Sequence, residues 1–202
     1  MKLESVHFIS GDDEFLVSKA AKDKFLELSK DLTDDFAKET INALAGNADD
    51  VARAIDAARS SIETLSLFGD AKVIWLKDVN FLADNQVSKS EACLEKVAQL
   101  QESLARIDAN SVTVIIGAYP VDRRKKLVKW FPEHCQSTHI SAGKEKSSVL
   151  QHEIRKICSE AKIEITQGAL ELIDGKVNGS IRMACKEAEK LALYLDEEGS
   201  TR

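Results

Sequence analysis

The sequence predicts an α/β domain with a parallel sheet, followed by a small domain made only of helices. Residues 73–76 are apolar at every position, and residues 112–116 are apolar except at Thr113, as expected for strands that are covered on both faces. Amphipathic helical patterns separate these strands from each other and from an earlier apolar strand, residues 6–9. Because strands that alternate with helices form parallel sheets flanked by helices, this architecture is predicted for residues 1–141.

Each helix of the first domain is predicted from an apolar stripe at helical spacing. The first helix follows Ser10 and Gly11 directly, and Asp12 and Asp13 suit its positively polarised N-terminus. A second helix is predicted over residues 49–64. The three stripes are Val17, Ala21, Phe25 and Leu28; Val51, Ile55, Ala58 and Ile62; and Leu94, Val97, Leu104 and Ile107. A basic helix over residues 122–131 and weaker strands at 35–43, which carries Phe36 and Ile41, and at 136–140 complete the domain.

The chain changes character after residue 141. Residues 141–146 have the composition of a linker, and only helical patterns follow. Thr166 is a predicted N-cap, and Asn178-Gly179 is a predicted turn. The flanking stripes are Leu150, Ile154, Ile157 and Ala161, then Ile181, Ala184, Ala188, Leu191 and Leu195. We therefore expect a three-helix domain over residues 142–202, close to the smallest size that folds alone.

Composition restricts the functional classes. The chain is 44% hydrophobic and 31% charged, which is ordinary for a soluble globular protein. Its net charge of -6 argues against nucleic-acid binding over the whole surface, because such binding relies on neutralising phosphates. No apolar run approaches the ~20 residues that span a bilayer, and the N-terminus does not resemble a signal peptide. We expect a cytoplasmic protein without a membrane partner.

The cysteines indicate neither a metal nor a redox site. None of the four forms a C-x-x-C pair; they are Cys93, Cys135, Cys158 and Cys185. His134, Cys135 and His139 surround a predicted strand, but a fourth zinc ligand at the usual spacing is missing. We therefore expect no metal and no cofactor.

An α/β domain with a small helical lid is the layout of AAA+ ATPases, which carry a phosphate loop, G-x-x-x-x-G-K-[ST], after the first strand. Residues 10–15 read SGDDEF here, so the phosphate-binding lysine is absent and three acids would repel a triphosphate. Asp78, after the second apolar strand, lacks a glutamate neighbour, and Gly117-Ala118 offers no polar sensor. The sequence predicts a degenerate P-loop NTPase fold without intrinsic catalytic activity.

Arg182 belongs to one further AAA+ feature. Residues 179–182, GSIR, resemble the G-x-x-R turn that opens the lid helix of AAA+ proteins with a phosphate-sensing arginine. With no phosphate to meet, Arg182 is expected to cap the structure or to form an ion pair. The motifs of serine hydrolases and zinc proteases are also missing from the sequence.

An apolar pair interrupts the connection between the second helix and the next strand. Residues 65–70 read LSLFGD, and Leu67 and Phe68 stand at a helix end, which lies near the surface because its last carbonyls need water or a cap. The pair either tucks under the following loop or projects into a pocket of a partner. Taken alone, the residues favour the loop-buried alternative. Full burial of each side chain is worth about 1.5–3 kcal/mol.

Four segments together resemble the delta subunit of bacterial DNA polymerase III. They are residues 11–16 (GDDEFL), 64–74 (TLSLFGDAKVI), 122–127 (DRRKKL) with Lys129, and 187–194 (EAEKLALY). The resemblance covers essentially the whole chain and depends on the order and spacing of these segments. Members of this family are longer and end in a third, helical collar domain, so the chain is expected to be a fragment without the collar.

The resemblance implies a non-catalytic clamp-loader subunit of the DNA polymerase III holoenzyme. Such a subunit binds and opens the sliding clamp, so that the clamp can be loaded onto DNA during replication. Leu67 and Phe68 become the plug for a pocket of the clamp, and Leu65 a supporting contact. The implied partners are the sliding clamp (beta subunit), other clamp-loader subunits through the collar, and DNA indirectly.

The basic run keeps two interpretations. A solvated helix start is the default and is favoured; inside a clamp loader the same residues would form a DNA-facing patch. They are Arg123, Arg124, Lys125, Lys126 and Lys129.

Two other functions are consistent with parts of the sequence. One is a nucleotide-binding P-loop-type ATPase with an atypical phosphate site built from Ser10, Gly11 and Arg182, which the missing lysine disfavours. The other is a clamp-loader subunit of the delta-prime type, which the lack of a zinc module and of an S-R-C motif disfavours.

Overall fold

The computed structural model describes residues 2–64, 71–143 and 146–197. The chain divides into two compact units, Met1–Ser141 and Ala142–Arg202. The first contains a β-sheet flanked by helices, and the second contains helices alone among its described residues.

The first unit is built on a five-stranded sheet, in which every pair of neighbouring strands is parallel. The strands lie in the order β2-β3-β4-β1-β5. Their bounds are β1 Leu3–Gly11, β2 Lys38–Asn42, β3 Lys72–Val79, β4 Val112–Ala118 and β5 Cys135–Ile140. The predicted α/β class with a parallel sheet is confirmed, and each predicted strand is found: β2 is shorter than predicted, and the other four are longer.

Helices cover both faces of this sheet. The helices of the first unit are α1 Glu14–Ser29, α2 Ala48–Glu63, α3 Gln86–Lys89, α4 Glu91–Ala105 and α5 Lys126–His134. Val73 and Trp75 pack with α1 on one face, whereas the intervening Ile74 and Leu76 pack with α2, α4 and α5 on the other. This division follows from the two-residue period of a strand, and it explains why residues 73–76 of β3 are all apolar.

Local signals set the helix starts. The Asp13 carboxylate accepts a hydrogen bond from the backbone N–H of Leu16 (3.1 Å) and caps α1. Asn47 and Asp50 form a capping box at the start of α2, in which each side chain satisfies a backbone N–H that has no partner within the helix.

Four details of the sequence-based prediction were wrong. The basic helix begins at Lys126 rather than Asp122, because residues 122–125 form a turn. Residues 35–37 are a 3-10 turn in which Phe36 is 88% exposed. Leu94 is exposed on α4, where Cys93 and Leu100 are buried instead, and Leu191 is exposed in the last predicted helix.

The described residues of the second unit form three helices, α6 Lys146–Glu160, α7 Gln167–Val177 and α8 Ile181–Glu197. Thr166 caps α7 as predicted, since its hydroxyl accepts a hydrogen bond from the N–H of Ala169 (3.2 Å). Asn178 and Gly179 have φ values of 49° and 73°, the left-handed conformation that ends a helix. None of the helices in the described part of the chain has the length and apolar character that a bilayer crossing requires.

Candidate functional site

The predicted plug residues, Leu65, Leu67 and Phe68, lie outside the described residues. The structure does describe the chain on either side of them: α2 ends at Glu63, and β3 begins at Lys72. The described part of the candidate site therefore consists of the two chain ends that residues 65–70 connect.

The end of α2 is closed by its own cap. The N–H of Thr64 donates to the carbonyl of Ser60 (3.0 Å), and the Thr64 hydroxyl donates to the same oxygen (2.7 Å). Ala58 and Ile62, in the last two turns, are buried against the core. The helix is thus fixed to the sheet up to the residue that precedes the predicted plug.

A buried lysine ties the end of α2 to the start of β3. Lys72 is only 8% exposed. Its Nζ donates to the carbonyl of Ser61 (3.2 Å) and lies 2.9 Å from Oε2 of Glu39 on β2. The Ser61 hydroxyl donates to the same Glu39 carboxylate. We call Glu39, Ser61 and Lys72 the brace, because they join a helix end and two strands.

Two hydrogen bonds favour the ionised form of Glu39 in the brace. Partial burial opposes ionisation of Glu39, yet the hydrogen bonds from Ser61 and Lys72 hold the pKa of its carboxyl below the usual value. The backbone N–H of Lys72 also donates to the carbonyl of Ser111 (2.8 Å). A buried ammonium needs a paired charge and acceptors, and Lys72 has them in Glu39 and the Ser61 carbonyl.

The loop that follows β1 is closed where a phosphate loop would be open. The Asp13 carboxylate accepts from the N–H of Leu16 in the first turn of α1, and the N–H of Asp12 donates to the carbonyl of Ile140 (3.1 Å). A Cβ on Gly11 would lie 2.3 Å from that Ile140 oxygen. A carboxylate therefore already caps the helix N-terminus, where a phosphate would bind.

A small cavity lies near the carboxyl ends of β3 and β4. It measures about 370 Å³ and is lined by Glu14, Trp75, Asp78, Tyr119 and their neighbours. Asp78 has a positive φ of 60° and lies 3.6 Å from the ammonium of Lys77. Two carboxylates among the lining residues make this cavity unfavourable for a nucleotide phosphate.

The basic run is divided by the turn before α5. The Arg124 guanidinium binds the carboxylate of Asp122 (2.8 Å) and that of Asp84 (2.7 Å). Its side-chain and backbone hydrogen bonds lower the pKa of Asp122 to about 2. Lys125 donates to the carbonyl of Ser88 (3.1 Å), and burial lowers the pKa of its ammonium. The side chains of Arg124 and Lys125 thus make contacts within the first unit.

The other three basic residues are directed to two different grooves. Lys126 lines an apolar groove between α4 and α5, whereas Arg123 and Lys129 line a groove between α5 and the edge strand β5. All three are exposed. Of the five residues of the predicted patch, Arg123 and Lys129 line one groove together, and the other three lie outside it.

The candidate metal residues do not converge. All four cysteines are buried free thiols, and burial raises the pKa of Cys135 to about 11. In the described ranges, no group of three or more His, Cys, Asp or Glu side chains could hold a metal ion.

Arg182 is exposed near the start of α8.

Residues 7–141 match the family model for DNA polymerase III, delta subunit. The match covers more than half of the chain. This chain belongs to that family. Comparison with curated proteins finds no match.

A solved structure agrees with the delta-subunit assignment at the level of fold. The chain is similar to Bacillus subtilis DNA clamp loader delta protein (YqeN), with a TM-score of 0.54 and 15% sequence identity. The alignment covers 95% of this chain and 54% of that one. This member of the delta-subunit family thus spans about half the length of the structure that it matches.

Sequence reasoning missed the brace. Its members lie far apart in the sequence, and a lysine at the start of a strand usually indicates a solvated position. One signal was available: Lys72 directly precedes an apolar strand, where burial of its stem is expected and its ammonium needs an acceptor.

Proposed function

We propose that this delta-family chain binds the sliding clamp through Leu67 and Phe68 and opens the ring without hydrolysing nucleotide. The brace, which joins the end of α2 to the start of β3, is the observation that carries the proposal. Glu39, Ser61 and Lys72 lock the two chain ends that flank this segment. Apolar anchor residues bind at a smaller cost in conformational entropy when the flanking chain is already ordered.

The proposed plug has enough binding energy for this role. Truncation of a well-packed apolar anchor to alanine typically costs 2 kcal/mol or more, or roughly 30-fold in affinity. A binder that prefers the open ring shifts the clamp toward that state without any chemical step. The closed loop after β1, with Asp13 on the first turn of α1, supports a role that needs no bound nucleotide.

The test is binding of this chain to the cognate sliding clamp by biolayer interferometry, without nucleotide. The parent is compared with Leu67→Ala/Phe68→Ala and with a matched control, Phe36→Ala/Leu44→Ala. The control removes the same side chains from positions that are 88% and 62% exposed. We expect the first variant to lose at least about 30-fold in affinity and the control to match the parent.

Two results would contradict the proposal. If the parent does not bind the clamp, the clamp-binding function is wrong for this chain. If both double variants bind as the parent does, or if only the Phe36/Leu44 variant is weakened, the contact lies on another surface and Leu67 and Phe68 are not the plug.

A further inference from the structure

The groove between α5 and β5 has an apolar floor and a basic rim. Its volume is about 460 Å³. Phe8 and Val128 are buried beneath it, and Phe8 stacks on Phe131 of α5 with ring centroids 4.1 Å apart. This stacking fixes the helix against the strand, so the groove is a permanent feature of the first unit.

The polar residues of the groove are all able to donate hydrogen bonds. Neighbouring strands bring the side chains of the groove to one face of the sheet, because Phe8 is in register with Ser137 and Ser10 with His139. The six polar residues that line it are Lys2, Arg123 and Lys129, the hydroxyl residues Ser10 and Ser137, and His139. No carboxylate is found among the described lining residues.

The three cationic side chains of this groove have no partner in the described part of the chain. Lys2, Arg123 and Lys129 are exposed, and within the described part of the chain none of them forms an ion pair or a side-chain hydrogen bond. Arg124, next to Arg123, is bound by two carboxylates. Three uncompensated cations around one groove, in a chain of net charge -6, produce a local positive potential that attracts anions.

We propose that the α5–β5 groove binds phosphate groups, with Arg123 and Lys129 as the main cationic contacts. A guanidinium offers a planar fork of donors that fits phosphate oxygens, and an ammonium adds a point charge. Ser10 and Ser137 supply hydroxyl donors at the floor, and Lys2 extends the basic rim. The phosphate belongs either to a nucleic-acid backbone or to a free phosphate compound.

This groove differs from the position of a P-loop site. It lies on the face of the sheet that contains Phe8, whereas α1 packs on the face that contains Ile9. The first turn of α1 is already capped by Asp13. The proposed ligand is therefore held by side chains, and the proposal stands independently of clamp binding.

Two probes test the groove and separate the two phosphate sources. A fluorescein-labelled single-stranded oligothymidylate is titrated by anisotropy, and pyrophosphate is titrated by calorimetry. The parent is compared with Arg123→Gln/Lys129→Gln. The matched control, Arg106→Gln/Lys22→Gln, removes the same charge from exposed positions outside the groove. Thermal melting confirms that each variant is folded.

We expect the groove variant to bind at least about tenfold more weakly than the parent, because it loses two charge-assisted contacts. For the oligonucleotide, the slope of log affinity against log salt should decrease by about 0.7 for each lost contact. The control should keep at least most of the parental affinity. Loss with the oligonucleotide alone identifies a phosphodiester backbone, and loss with pyrophosphate alone identifies a free phosphate compound.

A second variant keeps the cations in place. Ser137→Asp introduces a carboxylate into the groove and should weaken binding as strongly as the double variant. The proposal is overturned if neither probe binds the parent, or if the groove and control variants are weakened equally. It is also overturned if Ser137→Asp binds as the parent does.

Discussion

Replacement of Lys72 by methionine isolates the contribution of the brace. Methionine keeps most of the apolar stem but removes the ammonium, and with it the hydrogen bond to the Ser61 carbonyl (3.2 Å) and the ion pair with Glu39 (2.9 Å). The free energy of unfolding should therefore decrease, and the end of α2 should no longer be tied to β3.

The size of this loss follows from the exposure of the two charged partners. Breaking a fully buried ion pair costs about 3–5 kcal/mol, but the Glu39 side chain is 40% exposed and solvent screens its charge. A hydrogen bond to a charged group contributes about 1.5–3 kcal/mol, and removal of a desolvated ammonium offsets part of that. We expect a net loss of about 1–2 kcal/mol, or roughly 2–8 °C in the melting temperature.

The assay is urea unfolding of the parent, Lys72→Met, Glu39→Gln and the double variant. A coupling energy of at least about 0.5 kcal/mol is expected for contacting residues. Lys38→Met is the control, because Lys38 lies on the adjacent strand with no ion pair in the described structure. If Lys72→Met unfolds within about 0.5 kcal/mol of the parent, as surface substitutions usually do, the brace does not stabilise the base of residues 65–70.

Two further predictions concern the loop after β1 and the turn before α5. Gly11→Ala should destabilise the first unit by about 1–3 kcal/mol in urea unfolding, because its Cβ would lie 2.3 Å from the Ile140 oxygen; Gly175→Ala, with open space in α7, should not, and equal effects would contradict the close approach. Hydrogen bonds from Arg124 lower the pKa of Asp122 to about 2, so its stabilising contribution is complete above the unfolded pKa near 4 and disappears as the pH falls toward about 2. The stability difference between the parent and Asp122→Asn should therefore vanish over that acid range, and a difference that persists at the lowest pH would refute the assignment.

The sheet and most of the helices were predictable from local pattern. Residues 73–76 and 112–116 predicted covered strands because every position except Thr113 is apolar, and β3 and β4 contain them. Val51, Ile55, Ala58 and Ile62 predicted the buried face of α2, and all four are buried. Periodicity failed at Leu94, since Cys93, Val97, Leu100 and Leu104 form an equally regular stripe and the core selected that one.

The start of α5 could not be predicted from the local sequence pattern, for a different reason. Asp122 looks like a helix N-cap, but its carboxylate accepts hydrogen bonds from the backbone and side chain of Arg124 in a turn. Its own N–H donates to the Leu82 carbonyl (2.9 Å), a partner from the distant loop after β3. The tertiary contact therefore delays the helix until Lys126.

The sequence by itself determined the parallel α/β class, the missing phosphate-loop lysine and the similarity to the delta-subunit family. These features depend on periodicity and on the order of short segments, which neighbouring residues carry. Only the tertiary structure decided which charges stay unpaired. Arg123 and Arg124 are adjacent and chemically identical, but Arg124 meets Asp84 from a segment 40 residues away while Arg123 faces a groove without a carboxylate among its described lining residues. Ion pairing depends on distance in space, and for charges so far apart in sequence the fold alone sets that distance.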